Sequence, residues 1–329
     1  RKISRNINVW PDNPIGHGAE KLKFRFQWNF PIVFSPHNTK RLYCASNKLH
    51  VTENEGQSWT TISPDLTRND SSKLKSSGGP ITKDNTSVEY YCTIFSIVES
   101  SLKAGIIWVG SDDGLVHVTK NGGQSWTNIS PVNMPEWIQI NSLEADPFNE
   151  AGCYMAATAY KNGDFKPYLY KTEDYGKSWK LIVNGIAADH FTRVIRADSK
   201  SKGLLFAGTE YGMYFSIDDG SNWKPFQLNL PIVPITDLNL REDFIIAATQ
   251  GRSIWMIDDI SPLRQLKTMN LVNPASILFK PKPMIRMGGG SYESLTNGTN
   301  HPNGLILYYY IDSVYQKDTF KLYCIDQKN

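Results

Sequence analysis

One eight-residue pattern recurs four times in this chain, and it limits the possible folds more than any other feature of the sequence. Each copy, here called an octet, follows the template Ser/Thr-x-Asp/Asn-x-Gly-x-Ser/Thr-Trp, with Asn222 replacing the second hydroxyl residue in the last copy. The octets occupy residues 52–59, 119–126, 172–179 and 216–223. The shortest spacing, from Trp179 to Trp223, is typical of one four-stranded propeller blade of about 40–50 residues.

The residue types of the octet are those of a tight turn between two strands. The Asp or Asn at the third position accepts hydrogen bonds from turn amides, and the Gly two residues later supplies a positive φ. The hydroxyl residue and the Trp then begin the outgoing strand. We therefore expect each octet to connect two antiparallel strands, with the indole covering the boundary between neighbouring sheets.

Apolar segments upstream of the octets complete a four-stranded unit. Residues 107–119 and 205–216 each read as strand, tight loop and strand, and residues 246–257 have the same form without a following octet. A further apolar strand precedes each of these pairs. If the strands of one unit are named a to d in chain order, the octet is the turn between c and d. The pattern predicts an all-β fold, a β-propeller with about five visible four-stranded blades.

The domain organisation follows from where this pattern starts and stops. We expect blades over residues 1–260, a linker or loop over residues 261–304, and two strands over residues 305–329. Two strands alone do not form a stable domain, so they are interpreted as the start of a β-sandwich. The fifth unit lacks a clear fourth strand. A closed ring of five blades fits the sequence, but six to eight blades are commoner for sheets of this size, so we expect a larger, seven-bladed propeller with further blades upstream.

Composition argues against several classes of function. Charged residues make up 20% of the chain, and 35 Lys and Arg against 32 Asp and Glu leave a formal charge of +3. This balance excludes a nucleic-acid partner bound through a broad basic field. No apolar run is long enough for a transmembrane segment, and the first residues show no signal peptide. The four Cys have no CxxC spacing, so neither a zinc site nor a disulfide framework is indicated.

The octets resemble the Asp-box, or bacterial neuraminidase repeat (BNR), which is shared by sialidases, xyloglucan-cleaving propeller enzymes, sortilin-type receptors and photosystem assembly factors. Residues 10–260 resemble more specifically a group of large bacterial cell-envelope proteins labelled glycosyl hydrolase with BNR repeats, or sortilin-like. The segments that carry this second resemblance are RFQWNFP (25–31), FSPHN (34–38), SPDLTR (63–68), LNLP (228–231) and TQGRSIW (249–255). The resemblance implies an extracellular, periplasmic or cell-surface protein with carbohydrate chemistry, and an upstream propeller of the same protein as a partner.

The turns of a blade alternate between two faces, which predicts where a site can form. The octets lie on the same face as the a–b turns, so the b–c loops and the starts of the a strands share the opposite face and the channel. The side chains there that suit catalysis are Asp237, Glu210 and Asp113. The side chains there that suit substrate binding are Arg193, Arg252, His190, Trp137, Tyr90 and Asp112. Each also has a structural interpretation, as a turn residue, a buried ion pair or a packed ring.

Two classes of function fit these residues. A glycoside hydrolase needs two carboxylates about 5–5.5 Å apart for retention or about 6.5–9.5 Å apart for inversion, and Asp237 with Glu210 or Asp113 is the best pair. A sialidase is disfavoured, because only Arg193 and Arg252 are placed like the three channel arginines of those enzymes. The alternative is a non-catalytic, sortilin-like propeller that binds a polysaccharide or other glycan, a peptide or a partner protein.

No cofactor is expected from the sequence. The one metal that it suggests is calcium, which takes oxygen ligands and would be bound by Asp112 and Asp113 with backbone carbonyls. Their spacing does not match a known calcium loop, so the site is predicted to hold no metal.

Overall fold

The computed structural model describes residues 4–12, 15–269, 276–283 and 304–311, together with residues 319, 321–323 and 325. Contacts divide the chain into two units, Arg1–Asp258 and Asp259–Asn329. Within the described residues, no helix is both long enough and apolar enough to cross a membrane.

The first unit contains five antiparallel sheets, each built from consecutive strands, which confirms the predicted all-β propeller fold. Blade 1 consists of β1 (Ile32–Phe34), β2 (Leu42–Ala45), β3 (Leu49–Thr52) and β4 (Thr60–Thr61). Blade 2 consists of β5 (Ile94–Glu99), β6 (Ile107–Ser111), β7 (Val116–Thr119) and β8 (Thr127–Asn128). Blade 3 consists of β9 (Gln139–Ala145), β10 (Cys153–Ala159), β11 (Asp164–Thr172) and β12 (Lys180–Leu181).

Blades 4 and 5 follow the same order. Blade 4 consists of β13 (Thr192–Ala197), β14 (Leu205–Thr209), β15 (Gly212–Ser216) and β16 (Lys224–Pro225). Blade 5 consists of β17 (Ile235–Arg241), β18 (Phe244–Thr249) and β19 (Ile254–Ile257), and its sheet has three strands, as the missing octet predicts. Ile254 and Met256 on β19 are 72% and 62% exposed, so this blade presents apolar side chains to solvent.

The second unit contains a helix, α1 (Ser261–Thr268), and two paired strands, β20 (Ser276–Leu278) and β21 (Tyr309–Ile311). The sequence analysis predicted only linker or loop over residues 261–304, whereas α1 and β20 lie in that segment. Pro262 stands in the first turn of α1, where its missing amide hydrogen is not needed and its fixed φ favours a helix. The second strand expected within residues 305–329 is not formed at residues 319, 321–323 and 325, the described residues after β21.

All four octets fold as the same turn. In the first, Thr52 Oγ1 accepts a hydrogen bond from the Gly56 amide and Asn54 Oδ1 accepts one from the Ser58 amide, both at 3.0 Å. The same two bonds recur in the other octets at 2.8–3.0 Å. The glycine and the residue before it both have positive φ in every copy. Positive φ at two adjacent positions matches the twist of the flanking strands.

The tryptophan of each octet joins its blade to the preceding one. The indole Nε1 donates a hydrogen bond to the main-chain oxygen of an isoleucine that follows the outer strand of the neighbouring blade. The pairs are Trp126 with Ile62 (2.9 Å), Trp179 with Ile129 (2.7 Å) and Trp223 with Ile182 (2.7 Å). Trp59 of blade 1 makes the same bond with the main-chain oxygen of Ile7 (2.9 Å), which lies near the start of the chain and not after the outer strand of a described blade.

Apolar side chains fill the space between consecutive blades, which fixes the blades around a common axis. Tyr43 and Leu49 of blade 1 pack with Ile97 and Val109 of blade 2. Equivalent buried clusters lie between blades 2 and 3 and between blades 3 and 4. The core is therefore a series of similar layers, and the first strand of each blade is its innermost strand.

Candidate functional site

The innermost strands of the five blades surround a cavity of about 1060 Å³, here called the channel. All five blades contribute to its wall, and the starts of the first strands and two b–c loops lie at its edge, as the alternation of turns predicts. Its polar and aromatic side chains include Gln27, Trp28, Tyr91, Asn141, Arg193 and Asp237. A polar wall with flat aromatic rings suits a ligand rich in hydroxyl groups.

A β-bulge in four of the innermost strands determines which side chains face the channel. The strand register skips one residue in β5, β9, β13 and β17, and the skipped residues are Phe95, Asn141, Arg193 and Thr236. A bulge inserts one unpaired residue and redirects its side chain, and all four of these residues line the channel.

The bulge in β13 places two arginines on the channel wall. Residues three apart in a regular strand face opposite sides of the sheet. Arg193 and Arg196 nevertheless both line the channel, and the buried Val194 and Ile195 lie between them. β5 has the same order of buried and partly exposed residues as β13. In β9 the corresponding partly exposed residues are Asn141 and Glu144.

Arg196, which the sequence analysis did not single out, connects three blades at the channel wall. Its guanidinium donates to Ser142 Oγ of blade 3 (2.6 Å), and in blade 5 to the Leu238 main-chain oxygen (2.8 Å) and Asp237 Oδ1 (2.7 Å). Glu144 Oε2 of blade 3 lies 3.9 Å from the same group. Burial raises the pKa of the Glu144 carboxyl, although the charge of Arg196 opposes that rise.

The three acids predicted to be catalytic each have a different partner. Asp237 lines the channel and pairs with Arg196. Glu210 accepts a hydrogen bond from Arg193 Nε at 2.6 Å, and of these two only Arg193 is among the described residues that line the channel. The acid that shares a cation with Asp237 is Glu144, on an innermost strand rather than in a b–c loop.

Asp113 is fully buried and lies below the channel wall. It accepts hydrogen bonds from Ser111 Oγ (2.5 Å) and from the Arg68 amide (2.8 Å). Burial raises the pKa of its carboxyl. These contacts are those of a carboxylate that organises its own loop, which is the structural interpretation of this residue.

Asp112 lines the channel but is 3% exposed. Its carboxylate accepts hydrogen bonds from the amide and the hydroxyl of Thr93, both at 2.8 Å. The bond from the Thr93 amide takes the place of a main-chain bond between strands just before β5. Burial raises the pKa of its carboxyl to about 7, so this acid is partly protonated at neutral pH. In the part of the chain that the structure describes, no group of three or more His, Cys, Asp or Glu side chains is arranged to hold a metal ion.

The remaining predicted binding residues are distributed over the channel face. Tyr90 lines the channel and donates its hydroxyl to the His17 main-chain oxygen (3.2 Å). His190 Nδ1 lies 2.8 Å from the Tyr214 hydroxyl, and its ring stacks on the exposed ring of Tyr211. Tyr211 is thus an exposed ring beside His190 that was not expected from the sequence.

Trp137 and Arg252 are not in the described lining of the channel, and Trp137 lines a pocket that adjoins it. The Trp137 ring is covered by the Arg68 guanidinium, 4.6 Å from its centroid, and stands beside Tyr91. Arg252 is exposed and donates to the Gly251 main-chain oxygen (3.1 Å). The Arg252 guanidinium has no ion-pair partner among the described residues, whereas Arg193 is paired.

Arg196 and Trp28 are among the channel residues that reasoning from the sequence overlooked. It also overlooked Glu144, which lines a neighbouring pocket rather than the described channel wall. Glu144 and Arg196 fall inside segments predicted to be apolar innermost strands. A charged residue in such a strand is unexpected, and this is the sequence feature by which the two residues could have been found. Trp28 lies just before β1 and is 63% exposed, and its indole Nε1 donates to Glu89 Oε1 at 3.1 Å.

The chain is similar in fold to solved propeller enzymes. A GH74 xyloglucanase from Xanthomonas campestris matches 70% of this chain and 36% of its own chain, with 13% identity and a TM-score of 0.50. An ancestral GH74 enzyme matches 74% of this chain and 29% of its own, with 18% identity and a TM-score of 0.50. This chain therefore spans about a third of the length of those enzymes.

No protein-family model and no curated protein matches the chain. At identities of 13% and 18%, the likeness to the two enzymes concerns the fold alone. The structure and these comparisons together identify the chain as a β-propeller with five described blades and a polar central channel.

Proposed function

We propose that the chain is a carbohydrate-binding propeller and that its channel holds a segment of a polysaccharide. The observation that carries this proposal is the channel wall, where amides, charged groups and aromatic rings converge from five blades. Gln27, Gln139 and Asn141 offer donors and acceptors for sugar hydroxyls, and Trp28, Tyr91 and Tyr160 offer flat apolar rings. A binding site is normally a concave pocket with few, well-placed polar groups.

Trp28 is the best-placed ring for stacking on a sugar. Most of its surface is exposed, and the hydrogen bond from its Nε1 to Glu89 fixes the orientation of the indole. An aromatic ring of this kind combines a large apolar face with a polar edge. A polysaccharide segment of several sugar units rather than a small molecule suits the site because the cavity has a volume of about 1060 Å³.

The test is calorimetric titration of the protein with a panel of soluble neutral and acidic polysaccharides. We expect at least one polymer to bind, and Trp28→Ala to weaken that binding about five-fold or more, as loss of about 1 kcal/mol predicts. Ile81→Ala, which truncates a 97% exposed side chain outside the channel lining, is the matched control. Absence of binding to every polymer, or equal binding by Trp28→Ala, would contradict the proposal.

Hydrolysis of the bound polysaccharide is the second candidate function, and the Glu144–Arg196–Asp237 cluster favours it. Inverting enzymes use two carboxyl groups about 6.5–9.5 Å apart, one of which is protonated. Because Glu144 and Asp237 both contact one guanidinium, their nearest oxygens are no further apart than that upper limit. The partly buried Glu144, whose side chain is 23% exposed, has a raised pKa and would be the acid, and the 62% exposed Asp237 would be the base.

Release of reducing ends from whichever polymer binds tests this second function. We expect Asp237→Asn and Glu144→Gln each to lower the rate at least a hundred-fold, since general acid–base catalysis contributes about 10²–10⁴-fold. Glu53→Gln, which alters an exposed acid paired with Arg41 outside the described channel lining, is the control and is expected to change the rate little. Binding without release of reducing ends would contradict hydrolysis and favour a non-catalytic binding propeller. Binding of a peptide but of no polysaccharide would favour a sortilin-like binding propeller.

A further inference from the structure

A separate pocket of about 300 Å³ adjoins the channel between blades 2 and 3. It is here called the Trp137 pocket, and its lining includes Lys73, Asp112, Trp137, Thr158, Lys161 and Asn162. Tyr91, Asp112, Gln139 and Lys161 line both this pocket and the channel, so a polymer in the channel has direct access to the pocket.

Three cations surround the pocket. Arg68 covers the Trp137 ring, Lys73 Nζ lies 5.5 Å from the centroid of that ring, and Lys161 Nζ donates to Gln139 Oε1 at 2.9 Å. Lys73 and Lys161 are both exposed, and within the described residues no carboxylate lies within 4 Å of either ammonium group. Neither ammonium group is therefore in an ion pair within 4 Å, although Asp70 acts on Lys73 and Asp112 acts on Lys161 at longer range.

No described acid near the pocket forms an ion pair with either ammonium group. Asp112 is the one carboxyl group in the described lining, and it is engaged by Thr93. Its raised pKa also reduces its negative charge at neutral pH. Asp113 faces Ser111 and the Arg68 amide instead. In the described lining, two lysines thus face one carboxyl group that is partly protonated at neutral pH.

Thr158 provides an independent indication of a ligand. This residue is 3% exposed and lines the pocket, and its Oγ1 has no hydrogen-bond partner among the described residues. A buried hydroxyl without a partner is uncommon, because it loses its hydration without compensation. A hydroxyl group of a bound sugar would satisfy it.

We propose that the Trp137 pocket binds a sugar unit that carries a carboxylate, a hexuronate, within an acidic polysaccharide held by the channel. The carboxylate lies between Lys73 and Lys161, a ring hydroxyl bonds Thr158 Oγ1, and the indole of Trp137 forms the apolar wall. This inference rests on the proposed function of the channel and adds the charge class of its ligand.

The test compares polymers that differ in charge. Polygalacturonate and alginate supply carboxylates, fully methyl-esterified polygalacturonate has the same backbone without charge, and dextran sulfate supplies sulfate. We expect a uronate polymer to bind about ten-fold more tightly than the methyl ester at 50 mM salt, and this preference to fall as salt rises, because salt screens exposed charges.

Variants locate the effect in the pocket. Lys73→Gln and Lys161→Gln are each expected to reduce the preference for the uronate about three- to five-fold, the range for exposed ion pairs of up to about 1 kcal/mol. Lys180→Gln, an exposed lysine on β12 of blade 3, is the matched control and is expected to leave the preference unchanged. Thr158→Val is expected to weaken uronate binding without lowering the unfolding temperature, since it removes an unpaired buried hydroxyl.

The possible failures are distinguishable. Equal binding of the uronate polymers and the methyl ester would overturn the Trp137 pocket as an acidic subsite while leaving the channel as a binding site. Tight binding of dextran sulfate but of neither uronate polymer would overturn the carboxylate specificity. Absence of binding to any polymer, neutral or acidic, would overturn both the proposed function and this inference.

Discussion

Gly123 of blade 2 packs directly against Ile62 of blade 1. A Cβ atom at Gly123 would lie 2.5 Å from the Ile62 main-chain oxygen and 3.0 Å from its Cβ, and Gly123 has φ of 97°. The glycines of the other octets meet Ile7, Ile129 and Ile182 in the same way. The octet glycine is therefore needed for two reasons, its backbone conformation and the close approach of the preceding blade.

Two adjacent glycines of the second octet allow the effect of backbone conformation to be distinguished from the effect of the close contact. Gly122 also has positive φ, but a Cβ atom there meets nothing within 4 Å. We expect Gly122→Ala to destabilise the protein by about 1 kcal/mol through strain alone, and Gly123→Ala by about 2–3 kcal/mol because the blades must also separate. Urea unfolding followed by circular dichroism measures both, and equal losses would show that the close contact contributes nothing.

The hydrogen bond of the octet tryptophan is predicted to matter most where it is buried. Trp223 is 3% exposed and its Nε1 donates to the Ile182 main-chain oxygen. Trp223→Phe leaves that oxygen unpaired and removes part of the ring, so we expect a loss of about 2–3 kcal/mol. Trp59→Phe is the comparison, because its bond to Ile7 is exposed to solvent and water can replace it. Thermal unfolding of the two variants should differ by several degrees, and a larger effect for Trp59→Phe would contradict this account.

Acid is predicted to weaken blade 1 through His50. The imidazole is fully buried, with Nε2 2.8 Å from Ser46 Oγ and Nδ1 3.1 Å from Thr61 Oγ1, and burial lowers its pKa to about 4. Because the unfolded chain binds a proton near pH 6.5 and the folded chain only near pH 4, stability is lost as pH falls through this range. His50→Gln should lose less stability than the natural protein between pH 7 and pH 4.5.

The control for this prediction is His37→Gln, which changes an exposed histidine and should keep the pH dependence of the natural protein. A residual loss is expected in His50→Gln, since burial also lowers the pKa of His117 to about 4. Free energies of unfolding in urea at several pH values provide the measurement. Identical slopes for all three proteins would rule out the role of His50.

Asp112 is predicted to act in the opposite direction. Its folded pKa of about 7 lies above the ordinary aspartate value near 3.9, so the unfolded chain ionises first and stability falls as pH rises from about 4 to 7. Asp112→Asn removes this effect, and its stability relative to the natural protein should therefore increase by about 1–3 kcal/mol between pH 4 and pH 8. Asp84→Asn, at an exposed position, should show no such increase. A constant difference across this range would contradict the assignment.

Local chemistry made the octets predictable, whereas the channel depends on register. Thr52, Asn54 and Gly56 act within eight residues, so their residue types were enough to predict the turn. Arg196 reaches the channel only because the bulge at Arg193 shifts the alternation of β13 by one residue. The position of a bulge depends on how the strand pairs with its neighbour. The sequence of one strand alone does not give that pairing.

The candidate acids show the same limit. Asp237 was identified because a carboxylate at the start of an innermost strand is unexpected, and it does line the channel. Glu144 was missed because its segment reads as an apolar strand, although it contacts the same guanidinium as Asp237. Glu144, Arg196 and Asp237 lie in blades 3, 4 and 5, so their contacts depend on how these three blades are placed relative to one another.

The joint between octet and isoleucine also bears on how such a chain can change over time. The indole recognises a main-chain oxygen, a group that every residue carries, and the glycine requires only that the neighbour come close. A blade that ends in this way can therefore keep this joint with any other blade of the same kind, and only the apolar side chains between the two blades have to be refitted. Duplication or loss of a whole blade would leave each remaining joint intact, so the width of the channel can be altered while its individual walls are inherited unchanged.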